Sequence, residues 1–499
     1  MIGLLCRIIK RILIDSSILI LFFLLAPGLP PYNATFSSYS ITPPFPLTGA
    51  LEPNGELDSA QRLLEGKFTG PESIAWKTHD EIFLSIHGGT IIKVFGQNFD
   101  RIARVTRIGP TCDGPHQERL CGRPLGLRFA PDGKLLVVDA YYGIFSVDVD
   151  SGEKECLVSP DQDIENEPFK FANDLDIDSD GNIYWSDSSS IADLANGNVV
   201  VGADPTGRLI KYDPKTGGNV VLLREIHFAN GVQLSSNQDF VLLCETSRNR
   251  IHRYWLKGDM TGRRDIFLDG LPGMCDNVRP RPDGGFYVSL VSTRIAGTAD
   301  QLLSIFEKVA LLRKLVLRVL SVAQWIIDST NKFFPHVLLE KASYNVLNMG
   351  PLMAAFKTNV SIVVEVDEEG NIIGSLQGST GKISHISETA HVGDHIFFGS
   401  PINKYLGHLY VGEPYTWEAI GVVGGDGNYK VRMLPNDKDG EESSASSAEE
   451  EPPVPETQIF EAMGEGITMK EPKEDTEEIE TEESEKLKDD QVDSKEEVT

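Results

Sequence analysis

The chain has no His-Glu-x-x-His helix, no Gly-x-Ser-x-Gly elbow, no phosphate loop and no dinucleotide fingerprint. Zinc, serine-hydrolase, ATP and nicotinamide chemistry are therefore poorly supported. Positive charge is scarce: 46 Lys and Arg stand against 74 Asp and Glu, a formal charge of −28, which argues against any affinity for nucleic acid. Cysteine is sparse too, six in 499 residues. Cys112 and Cys121 flank the polar loop CDGPHQERLC and are expected to form a disulfide; Cys156, Cys244 and Cys275 lie in or near apolar runs and read as buried thiols.

The negative charge is concentrated at one end. Residues 436–499 hold 24 Asp and Glu against six Lys, with Phe460 the only aromatic, so this segment cannot bury enough apolar surface to offset chain entropy and is expected to be disordered. At the other end, Arg7, Lys10 and Arg11 precede an apolar stretch over 12–29, broken by Asp15, Ser16 and Ser17. Basic flanking charge keeps residues 1–11 in the cytosol and sends the downstream chain across the membrane, which predicts a type II signal anchor; a cleaved signal peptide is the alternative. Residues 30–60 then form a lumenal linker. Two sequons, at Asn33 and Asn359, suit a protein of the endoplasmic reticulum or plasma membrane whose globular part is lumenal or extracellular.

Between these ends one pattern recurs roughly every 50 residues: a short apolar run, a turn, a strongly apolar strand, a polar break. LRFAPDGKLLVVDAYYGIFSVD, VQLSSNQDFVLLCETSRNRIHRYWL and VRPRPDGGFYVSLVS are three such units. Short Val-, Ile-, Tyr- and Phe-rich strands joined by Asp-Gly or Asn-Gln turns argue for an all-β fold. The period predicts a six-bladed β-propeller over 61–435, with the sixth unit starting near His385. An insertion at about 299–350 breaks the pattern with helical spacing and basic charge; it reads either as a helix packed on the propeller or as a lid that also touches the bilayer and favours lipophilic substrates.

Counting seven residues back from the turns at 78–80, 180–181, 236–238 and 283–284 gives Glu72, Asn173, Asn230 and Asp276. Each alone would be an ordinary surface acid or turn former. Four oxygen donors at one register of a repeating fold instead predict a shared cation site around the axis. The same register reaches Leu125 in the second unit and the His385–Ser387 region in the sixth, so two positions lack an evident ligand.

GPESIA at 70–75, CGRPLGLRF at 121–129, FANDLDI at 171–177, IYWSDSSS at 183–190, FANGVQLS at 228–235 and LPGMCDNVRP at 271–280 resemble the strictosidine synthase-like branch of the six-bladed propellers. That branch also includes paraoxonases and gluconolactonase-like enzymes. The resemblance runs from about 61 to 412 and implies a type II glycoprotein with arylesterase-like hydrolase activity on small-molecule esters or lactones. It further implies Ca²⁺ held by Glu72, Asn173, Asn230, Asp276 and Asn277. Where paraoxonases place a water-activating His, this chain has Leu125, and where true strictosidine synthases place a catalytic Glu, it has Ser387. Alkaloid condensation is therefore not expected, Asp276 is the candidate nucleophile or base, and His385 is a candidate base should its ring reach the channel. The competing reading is a noncatalytic, metal-stabilised propeller that binds partners in the secretory pathway.

Overall fold

The computed structural model of the chain describes residues 2–294, 306–355, 358–412, 417–423 and 429–435. Six four-stranded antiparallel sheets follow one another along the chain. Blade one is Ile74–Thr78, Glu81–Ile86, Thr90–Phe95 and Arg101–Arg107; blade two is Pro124–Phe129, Leu135–Asp139, Gly143–Val147 and Lys154–Val158. Blade three is Ala172–Ile177, Ile183–Asp187, Gly207–Asp213 and Gly218–Ile226; blade four is Ala229–Leu234, Phe240–Glu245, Arg250–Trp255 and Arg264–Asp269. Blade five is Gly273–Pro280, Phe286–Thr293, Ser361–Val366 and Ile372–Gly378. Blade six takes Thr389–Val392, His395–Phe398 and Leu406–Tyr410, and its outer strand, Gln61–Leu63, comes from far upstream and pairs antiparallel with Leu406–His408.

The first strands of successive blades adjoin one another, and blade six adjoins blade one, so the sheets close into a ring. Sheets covered on both faces need apolar residues at successive positions rather than in alternation. That is why second strands such as LLVVD and FVLLCE are buried at every residue. Each junction between neighbouring blades has its own apolar cluster, for example Leu136, Val138, Leu175 and Trp185 between blades two and three, or Leu242, Val278, Val288 and Val364 between four and five. A further cluster lies over one end of the ring, where Leu317 and Leu347 of the insertion meet Leu125, Phe171 and Phe228.

The insertion joins the second and third strands of blade five and is helical: Ala310–Phe333, Val337–Leu347 and Gly350–Ala355. Arg313, part of its basic charge, is 2% exposed, because its guanidinium donates to the carbonyls of Gly202 (3.0 Å), Phe306 (2.6 Å), Glu307 (2.7 Å) and Ser37. A buried cation is tolerated when it is hydrogen-bonded, and here four such bonds tie helix, blade-three loop and linker together.

An N-terminal helix covers Ile2–Leu25. It starts earlier than the apolar stretch and ends before Pro27, which cannot continue it. Among the described residues no helix is long and apolar enough to cross a membrane; Arg7, Lys10, Arg11 and Asp15 fall inside this one. Its final carbonyls are met by Arg318 of the insertion, whose Nη1 donates to Phe23 (2.9 Å), Leu24 (3.4 Å) and Ala26 (2.9 Å), a favourable place for a cation at a helix C-terminus.

Cys112 and Cys121 form a disulfide. Cys244 and Cys275 are buried free thiols, whereas Cys156, expected inside, is exposed because it lies on the outer strand of blade two. Both sequon asparagines are exposed. The propeller strands end at Tyr410, short of 435; Trp417–Val423 and Tyr429–Pro435 pair with each other in a separate unit. Residues 436–499 lie outside the described residues.

Candidate metal and active site

The innermost strand carries the same irregularity in four blades. Pairing with the second strand slips by one residue at Leu125-Gly126, Asn173-Asp174, Asn230-Gly231 and Asp276-Asn277. A β-bulge places two residues opposite one and re-aims side chains, so the strand can present one oxygen donor to the axis and turn its neighbour toward the next blade. A serine fills the gap this leaves in blade three, where the Asp174 amide donates to Ser186 Oγ at 3.0 Å; in blade one the Ser73 amide likewise donates to Ser85 Oγ at 3.0 Å. Gly231 is required for close approach, since a Cβ there would lie 2.5 Å from the Asp276 carbonyl oxygen.

The bulges converge on a cavity of about 200 Å³. Glu72, Asn173, Asn230 and Asp276 all line it, each between 3% and 6% exposed. Asn277 joins them from the side, its amide donating to Glu72 Oε1 at 3.1 Å across 205 residues of sequence. The amide nitrogens are occupied elsewhere. Asn173 Nδ2 donates to Ser188 Oγ (3.1 Å), whose hydroxyl donates to the Ala229 carbonyl (2.6 Å), and Asn230 hydrogen-bonds Asp276. Three oxygens are left buried without a partner: Glu72 Oε2, Asn230 Oδ1 and Asn277 Oδ1. Buried polar atoms are rarely left so. Two carboxylates and three amides form a hard-oxygen set suited to Ca²⁺, and the orphaned oxygens fit it; among the described residues no group of three or more His, Cys, Asp or Glu is placed to hold a metal ion.

Electrostatics agree with a site that wants positive charge. Burial, opposed by the Asn230 hydrogen bond and assisted by Asp174, pushes the Asp276 carboxyl up to about 8. Burial and then the charges of Asp276 and Glu388 raise Glu72 well above its ordinary value. Behind the cavity an ion network holds the blades: Arg279 donates to both oxygens of Asp174 (2.9 and 3.0 Å) and to Glu388 Oε2 (2.5 Å), all three groups being buried. Glu388 also accepts from Ser73 Oγ (2.7 Å) and the Ile74 amide (3.0 Å). It therefore faces away from the cavity, as expected for the strand neighbour of Ser387. Ser387 itself donates to the Glu72 carbonyl at 2.6 Å and braces that ligand.

Other wall residues carry no sequence pattern. His87, Glu118, Arg123 and Tyr344 line the cavity with Leu125. Arg123 lies two residues before Leu125 and is what blade two contributes in place of a ligand; it is 1% exposed, and its charge acts on both Glu72 and Glu118. Burial raises Glu118 to about 7, against a hydrogen bond from the Tyr141 hydroxyl at 2.7 Å. His87 Nε2 lies 3.1 Å from the Pro401 carbonyl, and burial with Arg123 nearby keeps the ring neutral. His385 is not among the cavity walls. Its Nδ1 lies 3.3 Å from Ser384 Oγ, and the ring borders a separate niche of about 10 Å³.

Residues 173–259 match the family described as strictosidine synthase, and residues 49–94 match strictosidine synthase-like, N-terminal. The adipocyte plasma membrane-associated protein Hemomucin of Drosophila melanogaster is 37% identical over 416 residues, 82% of this chain and 70% of that one. The adipocyte plasma membrane-associated proteins of Salmo salar (34%; 78% and 86%) and Homo sapiens (34%; 73% and 80%) align similarly. Solved structures similar to the chain include a gluconolactonase of Xanthomonas campestris, at 13% identity over 78% of this chain and 99% of that one with a TM-score of 0.45. A calcium-binding regucalcin of Agrobacterium tumefaciens aligns at 14% over 72% and 94%, with a TM-score of 0.42. With more than two thirds of each of these curated relatives matched at over 30% identity, the chain belongs to the adipocyte plasma membrane-associated protein family of strictosidine synthase-like proteins.

Proposed function

We propose that the chain is a membrane-anchored, Ca²⁺-dependent hydrolase of esters or lactones, arylesterase-like in chemistry. The single observation that carries this reading is the cage of buried oxygens without partners at Glu72, Asn230 and Asn277. Glu72, Asn173, Asn230, Asp276 and Asn277 would hold the ion, which when bound supplies Lewis acidity toward an ester carbonyl. The chain's own groups do the rest. Asp276 takes the proton of the attacking water, Arg123 contributes fixed positive charge to a wall facing Glu72, and Phe171, Phe228 and Met353 limit water in the cavity. The test is turnover of aryl esters and lactones by purified protein with and without chelator, alongside metal analysis. Persistent turnover after complete removal of calcium would refute the reading. A noncatalytic metal-stabilised scaffold is the second reading, favoured by Leu125 at the axis and by His385 standing outside the cavity.

The two acids give a pH prediction for the calcium-free protein. The folded-state value of Asp276, about 8, lies above the ordinary 3.8, so between these values the native state binds a proton that the unfolded state does not. Stability is then full below about 4 and falls as pH rises toward about 8. Chelator-treated protein should show a thermal midpoint declining over that interval, and calcium should flatten the profile. A profile that is already flat without calcium would contradict the expectation.

We also place the propeller on the lumenal or extracellular side of the endoplasmic reticulum or plasma membrane, with glycans at Asn359 and Asn33. The N-terminal helix is the anchor in this reading, supported by its exposed Ile12, Leu13, Ile18, Leu19 and Phe22 and by the names of the relatives. The hairpin between the insertion helices exposes Phe333, Phe334 and Leu338 at 79%, 73% and 66%, an apolar tip suited to the lipid interface. Replacing Phe333 and Phe334 by Asp in a chain lacking residues 1–29 should weaken vesicle binding at least about tenfold in flotation assays. Equal flotation of both proteins would rule the tip out as a lipid contact.

A further inference from the structure

A second cavity of about 320 Å³ adjoins the axial one. Much of its wall comes from three segments outside the blade cores: Tyr39 and Ile41 of the linker, Val201 and Gly202 of the blade-three loop, and Val316, Leu317 and Leu320 of the insertion. Val201, Met274 and Ser292 line both cavities, and Met274 stands two residues before Asp276. The chamber therefore opens beside the bulge that aims Asp276 at the axis.

Two arginines pack on the Tyr39 side of the chamber. Arg313 spends its donors on the four carbonyls of Gly202, Phe306, Glu307 and Ser37, and its guanidinium carbon lies 4.7 Å from the centre of the Tyr39 ring. Arg248 lies 4.1 Å from the same ring centre and donates to the Ser40 carbonyl at 3.2 Å. An apolar chain lying against Ile41, Val201, Val316, Leu317 and Leu320 would gain the burial free energy of its methylenes. The volume accommodates roughly ten methylene-sized groups, at about 30 Å³ for each water-sized unit. The same helix that supplies Val316, Leu317 and Leu320 receives the end of the N-terminal helix through Arg318, so the chamber lies next to the segment proposed to enter the bilayer.

We infer that this chamber binds the neutral alkyl or acyl arm of a lipophilic ester or lactone whose carbonyl occupies the axial cavity. The inference rests on the hydrolase reading for the fate of the ligand, but not for its binding. Val316→Trp and Leu320→Trp fill the chamber from residues that do not line the axial cavity.

Two measurements on the full-length chain in lipid nanodiscs test it. In the first, a diazirine-bearing decanol is photocrosslinked and the peptides covering 306–320 are quantified. Saturable labelling that excess decanol suppresses, and that falls at least fivefold in Val316→Trp, is expected. Absent labelling, or labelling that excess decanol leaves unchanged, or that is equal in wild type and both Trp variants, overturns the inference. In the second, kcat/KM is measured for p-nitrophenyl acetate and decanoate. Val316→Trp should reduce the decanoate value at least tenfold and leave acetate within twofold; parallel loss of both, in a variant with wild-type thermal stability, overturns the inference. Saturable, Trp-sensitive labelling without hydrolysis of any ester would refute the hydrolase reading and leave the chamber standing.

Discussion

Asp276→Asn is expected to lower kcat for aryl esters at least about 100-fold at saturating calcium, the range by which a positioned acid or base accelerates such reactions. The substitution keeps an oxygen donor at the axis and removes only the proton acceptor, so calcium binding weakens without being abolished. Glu72→Gln is the control. It removes a ligand charge contributed by another blade, and its lost activity should return when calcium is raised, because only ion affinity has changed. The pair separates two jobs of one cage. Should Asp276→Asn turn over at the wild-type rate once calcium saturates, Asp276 is a ligand only and the base lies elsewhere, with Glu118 and His87 the next residues on the cavity wall.

The second large effect concerns stability. Arg279→Met leaves Asp174 and Glu388 buried with no cation between them, and breaking a buried ion pair in this way costs about 3–5 kcal/mol. The consequence reaches further than one pair, since Asp174 also accepts from the Val232 amide of blade four (2.8 Å) and Glu388 from two groups of blade one. Guanidinium unfolding should show the midpoint drop, and restoring neutrality with Asp174→Asn and Glu388→Gln in the same chain should recover much of it. A midpoint unchanged by Arg279→Met would mean that the network contributes nothing to holding the blades.

The axial ligands are legible in the sequence for a geometric reason. In blades three, four and five the innermost hairpin has nearly the same length, so counting back from its turn lands on the bulge each time, and Asn173, Asn230 and Asp276 share an address. The bulge itself is not legible, because a slipped pairing is a property of two strands and leaves no mark on one. The same limit hides Arg279, which reads as an isolated basic residue in NVRP until Asp174 and Glu388 are brought to it from more than a hundred residues away. Arg313 reads only as part of the insertion's basic charge, because nothing in one helix reveals that carbonyls from other segments are there to receive it. Cys156 reads as buried because an apolar neighbourhood in sequence does not distinguish an inner strand from an outer one. His385 is raised by its register and lies outside the cavity, its backbone at φ 52° rather than in strand conformation.

Ring closure by Gln61–Leu63 has a consequence for biosynthesis. This short segment is synthesised early, yet its partner Leu406–His408 is among the last parts of the propeller to be made, so the outer edge of blade six stays open until the propeller is nearly complete. Closing so long a loop is slow and leaves a strand edge available to other chains in the meantime. Nascent protein truncated before residue 406 should therefore be held by chaperones, while release from them should coincide with synthesis of that final strand.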